Sequence, residues 1–241
     1  EVSITPEAIF HIGNFPVTNS LFTSWVVVAV LAIGAIIFSK KIKAVPGKFQ
    51  AAVESVIETL LSFLETVGGD REVAKRFFPI VATLFLYVLC ANWAGILPGV
   101  GSIGIHEGDK FIPLFRSVYS DLNMTIALAL ITVVASHIYG LYTVGFKHHI
   151  GKFINVKGPI DAFAGVLEII GEISKIISLS FRLFGNVFAG EVLLTIIAFL
   201  IPFIAPLPFL GLELFVGLIQ ALIFATLAMV AFSSFTRVHA H

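Results

Sequence analysis

Apolar residues fall in long blocks along this chain, and the polar residues between them mark where each block stops. Residues 21–39, LFTSWVVVAVLAIGAIIFS, carry no charge, and Lys40, Lys41 and Lys43 follow at once. A helix needs about 20 apolar residues to cross the ~30 Å hydrocarbon core of a bilayer, so this block predicts a first span. Residues 77–97, FFPIVATLFLYVLCANWAGIL, predict a second, ended by Pro98 and Gly99. Residues 122–146, LNMTIALALITVVASHIYGLYTVGF, predict a third. The stretch 47–67 has a different period. Its apolar residues recur at 49, 53, 56, 57, 60, 64 and 67, with Glu54, Glu58 and Glu65 between them. That spacing predicts an amphipathic helix, lying on the membrane or against a partner instead of crossing.

The last two blocks are longer than a vertical span requires. Pro159 opens a run that meets no further proline until Pro202, and an unbroken helix of that length would measure about 60 Å. After PFIAPLP (202–208) a second run covers 209–235. Helices too long for the core must tilt or lay their first turns in the interface. The expected fold class is therefore an all-α integral membrane protein, a single membrane domain over 1–241. It has about five membrane-embedded helices, the last two (165–201 and 209–235) long, tilted and antiparallel, plus the amphipathic helix at 47–67.

Composition narrows the function classes. The chain is 58% hydrophobic and 12% charged, against roughly a quarter charged in a soluble domain. The formal net charge is zero, so no basic surface points to nucleic acid. A lone cysteine, Cys90, leaves no disulfide within the chain. With no glycine-rich nucleotide loop, metal-ligand cluster or nucleophile elbow, no cofactor, no metal and no catalytic chemistry are expected. His148, His149 and the terminal VHAH read as solvated. Charge also orients the spans. Segments 40–76, 147–161 and the C-terminus hold eleven Lys and Arg; the segments on the other side hold two, Lys110 and Arg116. Positive residues favour the cytoplasm, which puts the N-terminus outside and the C-terminus inside.

Six charges remain inside the last two blocks: Glu168, Glu172, Lys175, Arg182, Glu191 and Glu213. An arginine at the bilayer centre costs at least about 2.5–3.5 kcal/mol on insertion scales, so something must offset it. Residues 168, 172, 175, 182 and 186 are separated by helical steps, which puts Glu168, Glu172, Lys175, Arg182 and Asn186 on one face. Glu191, nine residues past Arg182, points roughly the opposite way at about 100° per residue. The helix is thus polar on one face in its inner half and on another in its outer half. Two offset half-channels, or packing against two different neighbours, would both use that pattern. Glu213 and Gln220, seven apart, share a face of the last helix. A hairpin folded about residue 201 or 202 brings Glu191 level with Glu213 and Arg182 level with Gln220. No acid lies three or four residues from Arg182, so its counter-charge is expected elsewhere, on another element or another chain. Lys175 is either an ion-pair member or a side chain reaching for the interface. Glu191 and Glu213, with no obvious cation beside them, form a carboxylate pair able to relay a proton. His137, mid-span, reads as a packed polar residue more readily than as a relay. Gly185, Ala189 and Gly190 permit close approach of another helix.

RLFGNVFAGE (182–191) resembles the signature of subunit a of the F-type ATP synthase. The similarity extends along the chain through IFHIGNFPVTN (9–19), VPGKFQ (45–50), NWAGILPG (92–99), SDLNMT (120–125) and IQALIFATL (219–227). The resemblance implies a non-catalytic, stationary subunit of the F0 sector beside a rotating ring of c subunits, each carrying a carboxylate. Protons would reach the ring through one half-channel and leave through the other, coupling their flow to rotation and ATP synthesis. Arg182 matches the family's essential arginine, an electrostatic gate facing the ring carboxylate. Asn186 and Gln220 match polar positions beside it. Glu191 and Glu213 match the outer-channel pair, which in other members includes a histidine. The resemblance further assigns Glu168 and Glu172 to the cytoplasmic half-channel and Asp121 to proton access at the outer end. Ser178, one turn before Arg182, is counted with the half-channels. Implied partners are the c-ring, the peripheral-stalk b subunits, the rest of the complex and the lipid bilayer of a bacterial inner membrane. Two other classes make different demands. A stand-alone ion-coupled secondary transporter calls for inverted repeats and broken helices at the midplane, and no repeat is visible. A structural scaffold leaves the polar stripe without a task.

Overall fold

The computed structural model describes residues 6–97, 99–107, 110–146, 158–201 and 204–234. Among them run six helices: α1 (Asn19–Lys41), α2 (Lys48–Gly68), α3 (Arg71–Ala94), α4 (Leu122–Val144), α5 (Pro159–Leu200) and α6 (Pro206–Ser233). All but α2 are long and apolar enough to cross a membrane. The chain is an all-α membrane protein, as the hydrophobic pattern predicts. His148, His149, Pro202, His239 and His241 lie outside the described residues.

Helix ends follow local chemistry. The Thr18 hydroxyl accepts from the Leu21 N–H at the start of α1, and Lys40 and Lys41 complete its last turn, where cations complement the helix dipole. The second span starts at Arg71, six residues before the apolar block, because Asp70 caps it by accepting from the Val73 N–H at 3.4 Å. Its first turns therefore carry Arg71, Lys75 and Arg76 past the apolar stretch. Gly69, with φ of 81°, ends α2 in the left-handed conformation that glycine adopts without a side-chain clash. Helix α5 starts with Pro159 in its first turn, where the missing N–H costs nothing. At 42 and 28 residues, α5 and α6 measure about 63 and 42 Å. Both exceed the ~30 Å hydrocarbon thickness, so each must tilt or extend beyond it.

Helix α3 is the centre of the bundle. Its buried stripe, Ala74, Phe77, Val81, Phe85, Val88 and Ala91, recurs every three or four residues and packs most extensively against α6. Phe77 stacks near Phe232 of α6 and Tyr139 of α4, with ring centroids 5.3 and 4.7 Å apart. Two side chains hold α3 to the α6 backbone: Asn92 Nδ2 donates to the Gly217 carbonyl (3.2 Å) and Trp93 Nε1 to that of Leu214 (3.1 Å). Helix α2 uses only part of its apolar face. Leu60 and Leu64 are buried, whereas Phe49, Val56 and Ile57 stay exposed. Arg71 ties α2 to α3 through Glu58 and Glu65.

Two small antiparallel hairpins, β1 (Ala8–Ile12) with β2 (Phe15–Thr18) and β3 (Gly104–Glu107) with β4 (Lys110–Pro113), are not signalled by the hydrophobic pattern. Both adjoin the end of the bundle where α1, α4 and α6 begin and α3 and α5 finish. That hairpin end is opposite α2.

Candidate functional site: an exposed arginine stripe and an acidic cavity

Helix α5 carries the site because its two long faces do different jobs. Leu179, Ser180, Leu183, Val187 and Gly190 are buried against the rest of the bundle. The Ser180 hydroxyl, fully inside, donates to its own helix at Ile176 O (2.7 Å) and faces Thr125 O of α4 at 3.4 Å. Ser174, Ser178, Arg182, Gly185 and Ala189 lie on the outward side and are exposed. Near the middle of the helix, then, a guanidinium projects from a surface of small residues. Its Nη2 donates to Ser178 Oγ at 3.2 Å. Among the described residues, no carboxylate comes within ion-pair distance of Arg182. A Cβ placed at Gly185, one turn on, would meet nothing within 4 Å.

At the hairpin end the same helix turns a different face inward. A cavity of about 660 Å³ opens between the ends of α1, α3, α5 and α6. Glu7, Asn19, Asn92, Arg116, Glu191 and Glu213 line it with polar groups. Gly190 lets α6 approach here: a Cβ at this position would run into the Glu213 carboxyl group. Four buried polar atoms on the cavity wall, Asn19 Nδ2, Asn92 Oδ1, Ser117 Oγ and Glu191 Oε2, have no hydrogen-bond partner among the described residues. Buried polar groups seldom stay unpaired, and a polar space this size admits water.

The sequence model of the ATP synthase A chain family matches residues 21–233. This chain belongs to that family. It is a multi-pass membrane subunit of the F-type ATP synthase complex, in the F0 sector, with a role in proton translocation. The family is a membrane subunit, separate from the part of the complex that performs the ATP chemistry.

The A chain's geometry alters one expectation for the outer pair. Glu191 does have a cation beside it: Arg116 Nε lies 4.0 Å from Glu191 Oε1. Arg116 is only 8% exposed and Glu191 32%. The arginine precedes α4 in sequence and meets α5 only because the loop leading into α4 folds over the hairpin end. Its backbone N–H donates to Thr23 Oγ of α1 (3.1 Å), which fixes the loop. In the sequence Arg116 is one of two cations outside the cytoplasmic segments, which bears only on how the spans are oriented. Nothing local in the sequence links it to a residue 75 positions later.

Opposite the hairpin end, Glu172 is the junction of the inner polar stripe. Lys175 Nζ lies 2.6 Å from its Oε1, and His137 Nε2 of α4 lies 3.3 Å from its Oε2. Lys175 is thus an ion-pair member, and His137 has a charged partner on α5. Glu168, one turn earlier, is exposed. Asn186 is half-buried one turn beyond Arg182. Gln220 sits on the buried face of α6 at 8% exposure. Asp121 is buried and caps α4, accepting from the Asn123 N–H at 2.9 Å; it does not line the cavity.

Proposed function

We propose that this A chain is the stationary proton-conducting partner of a c-subunit ring, with two half-channels offset along α5. The observation that carries the reading is the Arg182 surface. A fixed cation near mid-helix, exposed on a stripe of small residues and without a carboxylate among the described residues at ion-pair distance, needs an external anion at close range. A carboxylate on a neighbouring ring helix supplies it. Arginine does not release its proton, so Arg182 acts by charge. It favours the ionised ring carboxylate where it passes and blocks direct proton flow between the half-channels. Once protonated, the carboxylate can travel through lipid, which a bare charge cannot do at acceptable cost.

The hairpin-end cavity is the outer half-channel, with Glu191 and Glu213 as its proton-holding groups and its unpaired polar atoms as anchors for water. Glu168, Glu172 and Ser178 belong to the inner path. Asn186 and Gln220 order the surroundings of the arginine, and Asp121 supports the outer end. The hairpin end faces outward and α2 faces the cytoplasm of a bacterial cell, the arrangement the Lys and Arg asymmetry favours. The peripheral-stalk b subunits are the expected partners outside the ring. Each proton crossing with the potential supplies about 2.3 kcal/mol per 100 mV.

The test is ATP-driven acidification of inverted membrane vesicles, wild type against Arg182→Ala. Retention of the A chain in the purified complex serves as the assembly check. Pumping is expected to vanish while the complex stays assembled. Pumping near the wild-type rate would make Arg182 a structural residue and remove the basis of this mechanism.

A further inference from the structure

The contact between His137 and Glu172 joins two helices at the inner end of the polar stripe. Ionisable side chains inside membrane helices are costly and mark ion paths far more often than they serve as filler. Glu172 lies ten residues from Arg182, about 15 Å along α5 at 1.5 Å per residue. From Glu172 to the start of α5 at Pro159 is another thirteen residues, about 20 Å. From His137 to the end of α4 at Val144 is seven residues, about 10 Å. Helix α4 thus ends about half as far beyond this contact as the start of α5 lies.

We propose that His137 is a proton carrier of the inner half-channel, working as a pair with Glu172; this rests on the half-channel reading above. A proton arriving on Glu172 Oε2 passes to His137 Nε2, 3.3 Å away. The resulting imidazolium releases a proton to water, and exchange of the ring proton through that water restores the starting neutral tautomer; the reverse sequence carries protons inward from the cytoplasm. Imidazole is suited to this because it takes a proton on one nitrogen and gives one up from the other near neutral pH. The side chains are 23% and 17% exposed for His137 and Glu172, so the pair is partly shielded yet open on one side. Lys175 holds the other oxygen of Glu172, and Glu168 lies one turn away on the same helix. From α3, Arg76 sits 5.5 Å over the ring of Tyr139, two residues past His137. Glu213, the single ionisable group of α6, is at the opposite end. Lys175 neutralises Glu172 without blocking the oxygen that faces the imidazole.

The experiment measures passive proton conduction through the membrane sector of the complex in vesicles, driven by an imposed potential. Cytoplasmic-side pH is stepped through the imidazole range, about 5 to 8. His137→Gln retains an N–H donor for Glu172 but cannot carry a proton, so it separates a carrier from a packing contact. Conduction is expected to fall by about tenfold or more, a barrier increase of about 1.4 kcal/mol, and to lose its dependence on pH in this range. His137→Ala is expected to recover conduction when imidazole is added. Should His137→Gln fail to assemble, Glu172→Gln replaces it, with the same loss expected. Wild-type conduction with an unchanged pH profile, in whichever variant assembles, overturns the proposal. So does a slower rate with an unchanged profile and no imidazole rescue, which is the signature of a purely structural pin. A wild-type sector that conducts no protons would instead sink the channel reading itself.

Discussion

Arg182 and Arg116 show how one residue type takes two tasks according to what surrounds it. Arg182 is exposed on the helix surface, with no carboxylate of the described residues within ion-pair distance. Arg116 is buried at the cavity wall and faces a carboxylate of its own chain. Burying a cation and an anion together is tolerable only when each offsets the other's lost hydration. The helical face of Arg182 could be read from spacing alone, because steps of three, four and seven residues project side chains the same way. The Arg116 contact could not, since it depends on where a loop lands. Gly190 is the third decisive position. Gly190→Ala would press a methyl group into the Glu213 carboxyl group, and overpacking of this kind costs about 1–3 kcal/mol. Vesicle acidification by the assembled complex is expected to slow by roughly fivefold or more. Unchanged pumping would mean that Glu213 can move aside and that its contact with α5 is dispensable.

At the scale of the element, α4 shows one residue that is a helix cap and also matches a channel position. Asp121 resembles an outer-channel residue in sequence, yet its carboxylate is committed to the first turn of α4. Asparagine caps a helix about as well as aspartate, whereas alanine costs about 1 kcal/mol. Asp121→Ala is therefore expected to lower the melting temperature of the solubilised chain by about 2–4 °C, with Asp121→Asn close to wild type in both stability and proton flux. A loss of flux in Asp121→Asn without a loss of stability would return the residue to the channel. The amphipathic period of α2 was legible, and so was its not being a span. Which part of its apolar face is covered was not. Leu60 and Leu64 reach the core beside α3, while Phe49, Val56 and Ile57 remain on the surface, because α2 packs against its neighbours through its C-terminal half.

For the whole molecule, the hairpin end and the α2 end differ in chemistry as well as shape. One holds an acidic cavity roofed by short hairpins; the other gathers the lysines and arginines that follow α1 and open α3. Orientation can be tested with a membrane-impermeant maleimide on intact cells, starting from a Cys90→Ser background. Ser102→Cys, in the loop after α3, is expected to label from outside. Lys43→Cys, between α1 and α2, is expected to label only after the cell is opened. The opposite pattern would invert the channel assignments.

Sequence alone determined that this is a bundle of membrane helices, where most of them lie, and that α5 is polar on one face inward and another outward. Those properties follow from residue-by-residue hydrophobicity and from the 3.6-residue turn, both local and periodic. Even the pairing of Glu191 with Glu213 across the α5–α6 hairpin was within reach, since a short connection sets the level of two antiparallel helices. The tertiary structure alone decided that Arg116 stands beside Glu191, that His137 stands beside Glu172, and that a cavity forms where four helix ends meet. Each of these joins elements through side-chain packing and loop placement, and no period along the chain encodes which faces of distant helices will meet.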